Sequence, residues 1–321
     1  MNLAIVYTEY QLIQVQAIIK YRNLNGFTLI IVENNRIEDW LIDYDIFKCV
    51  LRYSYPEVSR KKRVFKKYIQ FHFEKISEIL NGNEVELMIG AQDENTIFRI
   101  FMQLAKPKIY WNIEDGIANY YERDIKFKTG ILLKNLLFKY VYGFDLKIQY
   151  RHGLDNADKK FRMAPEIANE TNDIEELAPI FKNYLIDKAN ENLIQNINLS
   201  EYRKYNRLII TNLSQYNKNR LIKNGKEEET SLYKFHPSEK IPNDIGVEYM
   251  DEKIPLELVL ILLKNIKIVE FHVMSSSYLN LKKMNFGIQV IDNIGRESKI
   301  NKFLLSKFEN FFFKIDNSKS I

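Results

Sequence analysis

Leu3-Ala4-Ile5-Val6-Tyr7-Thr8-Glu9-Tyr10-Gln11-Leu12 is the stretch on which the fold turns, four apolar residues running straight into polar ones. An apolar run closed this way reads as a buried strand; residues 12–21 then read as a helix, and Thr28-Leu29-Ile30-Ile31-Val32 as a second buried strand. The alternation continues outward. Val85-Glu86-Leu87-Met88-Ile89-Gly90 reads as a strand, residues 95–104 as a helix, and Lys108-Ile109-Tyr110-Trp111 as another strand. Successive β-α units predict a parallel sheet covered on both faces.

From residue 153 to 198 the chain is acidic and Asn-rich, and residues 185–194 read as an exposed helix, so an interdomain connection is expected there. Beyond it, strands are expected at residues 207–211, 232–235, 247–249 and 268–273, with a helix over 256–264. The fold class expected is α/β, two Rossmann-like domains facing a cleft. Their expected bounds are 1–155 and 201–321, with a linker or helical connection over 156–200. Ligands of such open sheets lie outside the carboxyl ends of the strands, so chemistry is to be sought in the residues that close strands.

Length and composition bound the answer without choosing it. A chain of 321 residues is long enough for two domains, each with its own core. A content of 46% hydrophobic and 28% charged residues excludes a disordered chain. No window approaches the ~20 apolar residues of a spanning helix, and no basic leader or cleavage site marks a signal peptide. The single cysteine, Cys49, excludes an internal disulfide and a cysteine-based zinc site, and it points to a cytoplasmic protein. In the apolar run Ile46-Phe47-Lys48-Cys49-Val50-Leu51 it is expected to be buried. A net charge of +5 is mild, and no nucleic-acid partner is expected.

Three short signatures follow predicted strands. Glu114-Asp115-Gly116-Ile117-Ala118-Asn119-Tyr120 comes directly after residues 108–111. A carboxylate there projects from the carboxyl edge of the sheet, and the glycine permits a tight turn or a close substrate approach. Aspartate, with an ordinary pKa of about 3.9, is ionised at neutral pH and can take a proton from an attacking hydroxyl. The same residues also spell an ordinary Asp-Gly turn. His236-Pro237 closes the strand at 232–235, and proline holds the residue before it extended. An imidazole so placed can hydrogen-bond or protonate a departing phosphate, with Lys234 and Lys240 adding positive potential. Ser275-Ser276-Ser277 precedes a helix, where hydroxyls and backbone N–H groups make either a phosphate site or a plain N-cap. His72, His152 and His272 read as structural, although His272 lies on the strand leading to the serines.

The acidic-acidic-Gly, His-Pro and serine signatures, in that order and with the opening Val6-Tyr7-Thr8-Glu9-Tyr10-Gln11-Leu12, resemble the bacterial sialyltransferases. The likeness is closest to glycosyltransferase family 52, related to the capsular polysialyltransferases of family 38. The signatures span most of the chain, each only a few residues long. The resemblance implies the glycosyltransferase B architecture and an inverting, metal-independent transfer of sialic acid. The donor would be CMP-sialic acid and the acceptor a hydroxyl, of galactose by preference, on a capsule or lipooligosaccharide glycan. It implies Asp115 as catalytic base, with Glu114 as a supporting or alternative carboxylate. It gives donor binding to His236, Pro237, Ser275, Ser276 and Ser277, with Glu257 at the ribose, and puts Gln11 and Asn119 on the acceptor side. No cofactor beyond the donor is implied. CMP carries one phosphate and can leave without a bridging cation; Asp43-Tyr44-Asp45, which has metal-clamp spacing, reads as a polar turn. A polysialic acid polymerase and a CMP-Kdo transferase are the near alternatives. An epimerase or phosphorylase on the same scaffold, and a non-catalytic glycan-binding or assembly protein, are the distant ones. A homodimer is compatible with the resemblance.

Residues 126–147 interleave lysines with Leu, Phe and Tyr, without an acid until Asp145. On a helix Leu132, Leu133, Leu136, Leu137 and Tyr140 share one side, while Lys128, Lys134 and Lys139 can face solvent or lipid headgroups. Residues 303–314 have the same character. Two readings stand: core-packing helices with solvated lysines, or peripheral attachment at the inner face of the cell membrane, suited to a lipid-linked acceptor.

Overall fold

The apolar opening forms β1 (Asn2–Val6), buried from Leu3 onward, and the polar residues after it start α1 (Glu9–Tyr21). Thr8 caps that helix, its hydroxyl accepting the Gln11 N–H at 3.2 Å, which satisfies one of the donors a helix start leaves unpaired. The computed structural model describes residues 1–32, 37–55, 62–91, 95–120, 125–143, 157–168, 173–191, 199–222, 231–235, 239, 241–242, 245–250, 254–296 and 298–318. It divides into two units, Met1–Leu177 and Ala178–Ile321.

In the first unit the chain continues through β2 (Phe27–Val32), β3 (Phe47–Tyr53), α2 (Lys62–Leu80), β4 (Leu87–Gly90), α3 (Thr96–Ala105) and β5 (Ile109–Asn112). It then forms α4 (Ile125–Leu136), extended by a π-helical turn over Leu137–Tyr142, and ends with β6 (Lys159–Arg162) and β7 (Ile174–Glu176). Among the described residues the sheet has seven parallel strands in the order β3-β2-β1-β4-β5-β6-β7. The order reverses between β1 and β4, so the crevice such a reversal opens lies at Tyr7-Thr8 and Ala91. Leu3, Ile5, Ile30 and Met88 form one core with Phe98 and Phe101 of α3. Gly90 is required by that packing: a Cβ there would lie 2.3 Å from the buried Phe98 ring.

The second unit begins with α5 (Ala178–Ala189) and continues through β8 (Arg207–Thr211), α6 (Leu213–Ile222), β9 (Ser231–Phe235) and α7 (Leu256–Leu262). It closes with β10 (Ile268–Phe271), α8 (Ser276–Met284), β11 (Gln289–Asp292) and α9 (Lys299–Ser318). Its four strands are also parallel, in the order β11-β10-β8-β9. The chain therefore has the α/β class expected, with two parallel sheets.

Several expectations are corrected. The two units meet at Leu177 and Ala178, inside the stretch read as the connection. The stretch read as a linker supplies β6 and β7 to the first sheet and α5 to the second unit. Composition misled here because β7 is the polar outer strand and β6 buries the charged Lys160 and Arg162. The helix expected to be exposed begins earlier, and its Phe181, Tyr184 and Leu185 are buried. Residues 247–249 make no strand, only a bridge from Tyr249 to Tyr233. Cys49 is exposed: β3 is the other outer strand, and from Lys48 to Arg52 its residues are at most partly covered. In α9 the apolar side is buried through Leu304, Leu305 and Phe308, so its described part packs as a core helix. No helix among the described residues is long and apolar enough to cross a membrane.

Candidate active site

β5 ends at Asn112, and within three residues its continuation presents two carboxylates with opposite environments. Glu114 is fully buried, whereas Asp115 is half-buried. Both oxygens of Glu114 are occupied by donors. Tyr10 Oη lies 3.0 Å from Oε1, while Oε2 accepts the Tyr120 hydroxyl and the Met163 N–H, the latter at 2.8 Å. Tyr120 accepts the Ala164 N–H at 3.0 Å, which ties the loop to the end of β6. Burial pushes the pKa of Glu114 up, and the surrounding donors and Arg162 oppose that rise. Burial also raises Tyr120 well above its ordinary value, so it remains a neutral donor. The partners of Glu114 hold the loop whose next residue is Asp115.

The amino-terminal helix supplies the rest of the framework. Gln11, Gln14 and Gln16 of α1 are all fully buried. Gln14 grips the backbone of Glu114 twice, donating to its carbonyl at 2.9 Å and accepting its N–H at 3.0 Å. Gln11 accepts the Tyr7 N–H at 2.8 Å and donates to Asp115 Oδ1. Asn119 Oδ1 accepts the Asp115 N–H at 2.8 Å, and its buried Nδ2 has no hydrogen-bond partner among the described residues. Gly116 adopts φ of 85°, the left-handed region that the tight turn demands and that glycine alone enters at no cost. Gln11, Glu114, Asp115 and Asn119 are thus brought together at the carboxyl edge of the first sheet, beside the β1/β4 reversal. A half-buried carboxylate held by the neutral Gln11 amide, on a backbone that Asn119 fixes, can accept a proton from a bound hydroxyl.

In the second unit, α8 starts where the serine signature lies. Ser275 occupies the N-cap position in extended geometry, yet its side chain makes no capping bond, and its buried Oγ has no hydrogen-bond partner among the described residues. An N-cap hydroxyl that leaves the helix N–H groups uncapped suits an anionic ligand, since the helix start carries partial positive charge. Glu257, in the first turn of α7, is buried, and its Oε1 accepts from Asn280 Nδ2 at 2.8 Å; it therefore touches the helix that the serines begin. His236 and Pro237 lie outside the described residues. β9, which they follow in sequence, is separated from β10 by β8 alone, so Phe235 and Phe271 end their strands at the same edge of the sheet.

A network that the sequence did not signal sits beside the serines. Glu270 of β10 is fully buried and accepts from Arg207 and Asn293. It also bonds His272, Nε2 to Oε1 at 2.7 Å, and this bond is the first cause of a carboxyl pKa lowered to about 2. The permanent carboxylate fixes His272 and Asn293 just beyond the ends of β10 and β11. In the first unit, the signal for the glutamine framework was present as Gln11-Leu12-Ile13-Gln14-Val15-Gln16, three amides spaced through an apolar helix.

No protein-family model matches the chain, and no curated protein matches its sequence. Solved structures do resemble it in fold. A UDP-N-acetylglucosamine 2-epimerase superposes with a TM-score of 0.50 at 9% identity, covering 95% of this chain and 82% of that one. A second structure, described as a putative UDP-N-acetylglucosamine 2-epimerase from Listeria monocytogenes, gives 0.50 at 10% identity, covering 95% and 81%. A glycosyltransferase from Rickettsia africae gives 0.42 at 13% identity, covering 98% and 88%. At these identities the likeness establishes the fold, an α/β arrangement of the glycosyltransferase B type.

Proposed function

We propose that the chain is an inverting glycosyltransferase that moves sialic acid from CMP-sialic acid to a hydroxyl of a bacterial surface glycan. The observation that carries this reading is the Asp115 carboxylate, half-buried just beyond a strand end and bonded by Gln11, on a backbone whose N–H Asn119 accepts. The order of the three signatures and the uncapped serine helix support it.

In the proposed reaction an acceptor oxygen attacks the anomeric carbon of the sialyl group while its proton passes to Asp115. The bond from that carbon to the phosphate oxygen breaks, and its electron pair leaves with CMP. His236 hydrogen-bonds or protonates the departing phosphate, and the serine hydroxyls and helix N–H groups stabilise its charge. One displacement inverts the anomeric centre.

Incubation with CMP-sialic acid and a panel of galactosides, followed by product analysis, tests the reading. Asp115→Ala and His236→Ala are expected to lower turnover, with the greater loss of CMP affinity in His236→Ala. Near-wild-type turnover in both variants would refute the assignment. The fold shared with the epimerases favours a second reading, a nucleotide-sugar epimerase. A melting temperature raised by UDP-N-acetylglucosamine and not by CMP would select it.

A further inference from the structure

We infer that the helix over residues 125–142 is a membrane-surface element that docks the protein on an anionic lipid face. The inference stands whichever sugar is transferred. Along α4 and its π-helical extension the amphipathic order is reversed: the leucines face outward. Leu132 is 60% exposed, Leu133 61% and Tyr140 75%, and Leu136, Leu137 and Val141 are exposed beside them. Among the described side chains of residues 129–141, Phe138 is the one that is buried. The exposed residues fall at i, i+1, i+4, i+5, i+8 and i+9 from Leu132, which makes one continuous apolar stripe.

Such a stripe on a protein surface needs an apolar partner. Charge identifies which one. Lys134 and Lys139 are exposed within the same segment, Lys139 reaching over the Tyr140 ring with Nζ 5.7 Å from its centroid. From Lys126 to Phe144 the sequence has four lysines and no acid. A lipid surface accepts both features at once, leucines at the acyl boundary and ammonium groups among anionic headgroups, with tyrosine at the depth between them. The contrast with α9 sharpens the point. A stretch of the same composition there buries Leu304, Leu305 and Phe308 in its own unit, so composition alone does not leave leucines exposed.

Co-sedimentation of the full chain with phosphatidylglycerol vesicles and with phosphatidylcholine vesicles tests this. The protein is expected to sediment with the anionic vesicles and to be released by salt. Leu133→Gln/Leu137→Gln is expected to weaken binding at least about 10-fold, and Lys134→Gln/Lys139→Gln about 30-fold, each lysine at the surface being equivalent to about 5-fold. All four side chains are exposed, so the melting temperature of each variant should match wild type and a binding loss cannot be read as unfolding. Sedimentation no greater than that of protein alone would overturn the inference, as would equal binding to both vesicle types or unaltered binding by either variant. A dimer that dissociates in Leu133→Gln/Leu137→Gln, without vesicle binding by wild type, would assign the stripe to a second copy instead.

Discussion

Replacing His72 by phenylalanine should change the acid stability of the first unit by an amount that the surroundings of the ring fix. His72 is fully buried among Tyr53, Tyr55, Tyr68 and Phe71, the nearest ring centroid 4.2 Å away, and its Nδ1 lies 2.6 Å from the Tyr53 hydroxyl. Its Nε2 is buried without a hydrogen-bond partner among the described residues, so the imidazolium would hold an unpaired N–H and its charge inside an aromatic cage. Burial accordingly lowers its pKa from 6.5 to about 4. Because the unfolded chain binds the proton first, stability from this residue is intact above pH 6.5 and is lost as pH falls toward 4. At pH 5 the unfolded histidine is nearly all protonated and the folded one nearly all neutral, a handicap of about 2 kcal/mol; at pH 7.5 it is about 0.1 or less. Phenylalanine loses the bond to Tyr53 but also removes the unpaired nitrogen, effects of about 1 kcal/mol each that oppose one another. His72→Phe should therefore be close to wild type at pH 7.5 and about 2 kcal/mol more favourable, relative to wild type, at pH 5. Both tryptophans, Trp40 and Trp111, lie in the first unit, so tryptophan fluorescence during urea unfolding follows that unit. His152, His236 and His272 are common to both proteins and cancel in the comparison. An identical difference between variant and wild type at the two pH values would refute the reasoning.

Other substitutions probe the site and its support. Glu114→Ala strands two buried donors and the part-buried Tyr10 hydroxyl and should destabilise the first unit by about 3–5 kcal/mol, while Glu114→Gln, which can still accept from two of the three, should cost about 1–2, both measured by urea unfolding. Since burial raises the Glu114 pKa above 4.5, ionising it weighs against folding, so wild type should lose ground to Glu114→Gln as pH rises through the folded value. Gly90→Ala drives a methyl into the Phe98 ring and should lower stability by about 1–3 kcal/mol in the same assay. Ser275→Ala removes a hydroxyl with no hydrogen-bond partner among the described residues and should leave the melting temperature of the unliganded protein within about 1 °C, while weakening CMP binding measured by calorimetry.

The interior strands were legible because they are continuous apolar runs between turns: β1, β2, β4 and β10 all lie where the sequence places them. β6 and its neighbour β7 were not. β6 reads Lys159-Lys160-Phe161-Arg162, a surface pattern by hydropathy, yet Arg162 is buried with its guanidinium 2.6 Å from Asn112 Oδ1. Burial of such a group depends on a partner fifty residues away, which no local window contains. The same limit applies at the site. Asp115 is recognisable as a carboxylate after a strand, whereas the partners of its neighbour, Tyr10 and Met163, are separated from Glu114 by 104 and 49 residues. Lysine-rich residues 126–147 and 303–314 look alike in sequence. They diverge because α9 meets a core face for its leucines, which α4 among its described side chains does for Phe138 alone.

The partners of Glu114 also set an order of events during synthesis. Tyr10 and Gln14 emerge a hundred residues before the loop they hold, and the Met163 N–H emerges after it. Until that last donor is available, closing so long a chain segment brings little return in contacts, and high contact order slows folding. The Asp115 loop should thus settle late in the folding of its unit. A nascent chain or fragment ending before residue 163 should have the amino-terminal strands in place and this loop still unfastened.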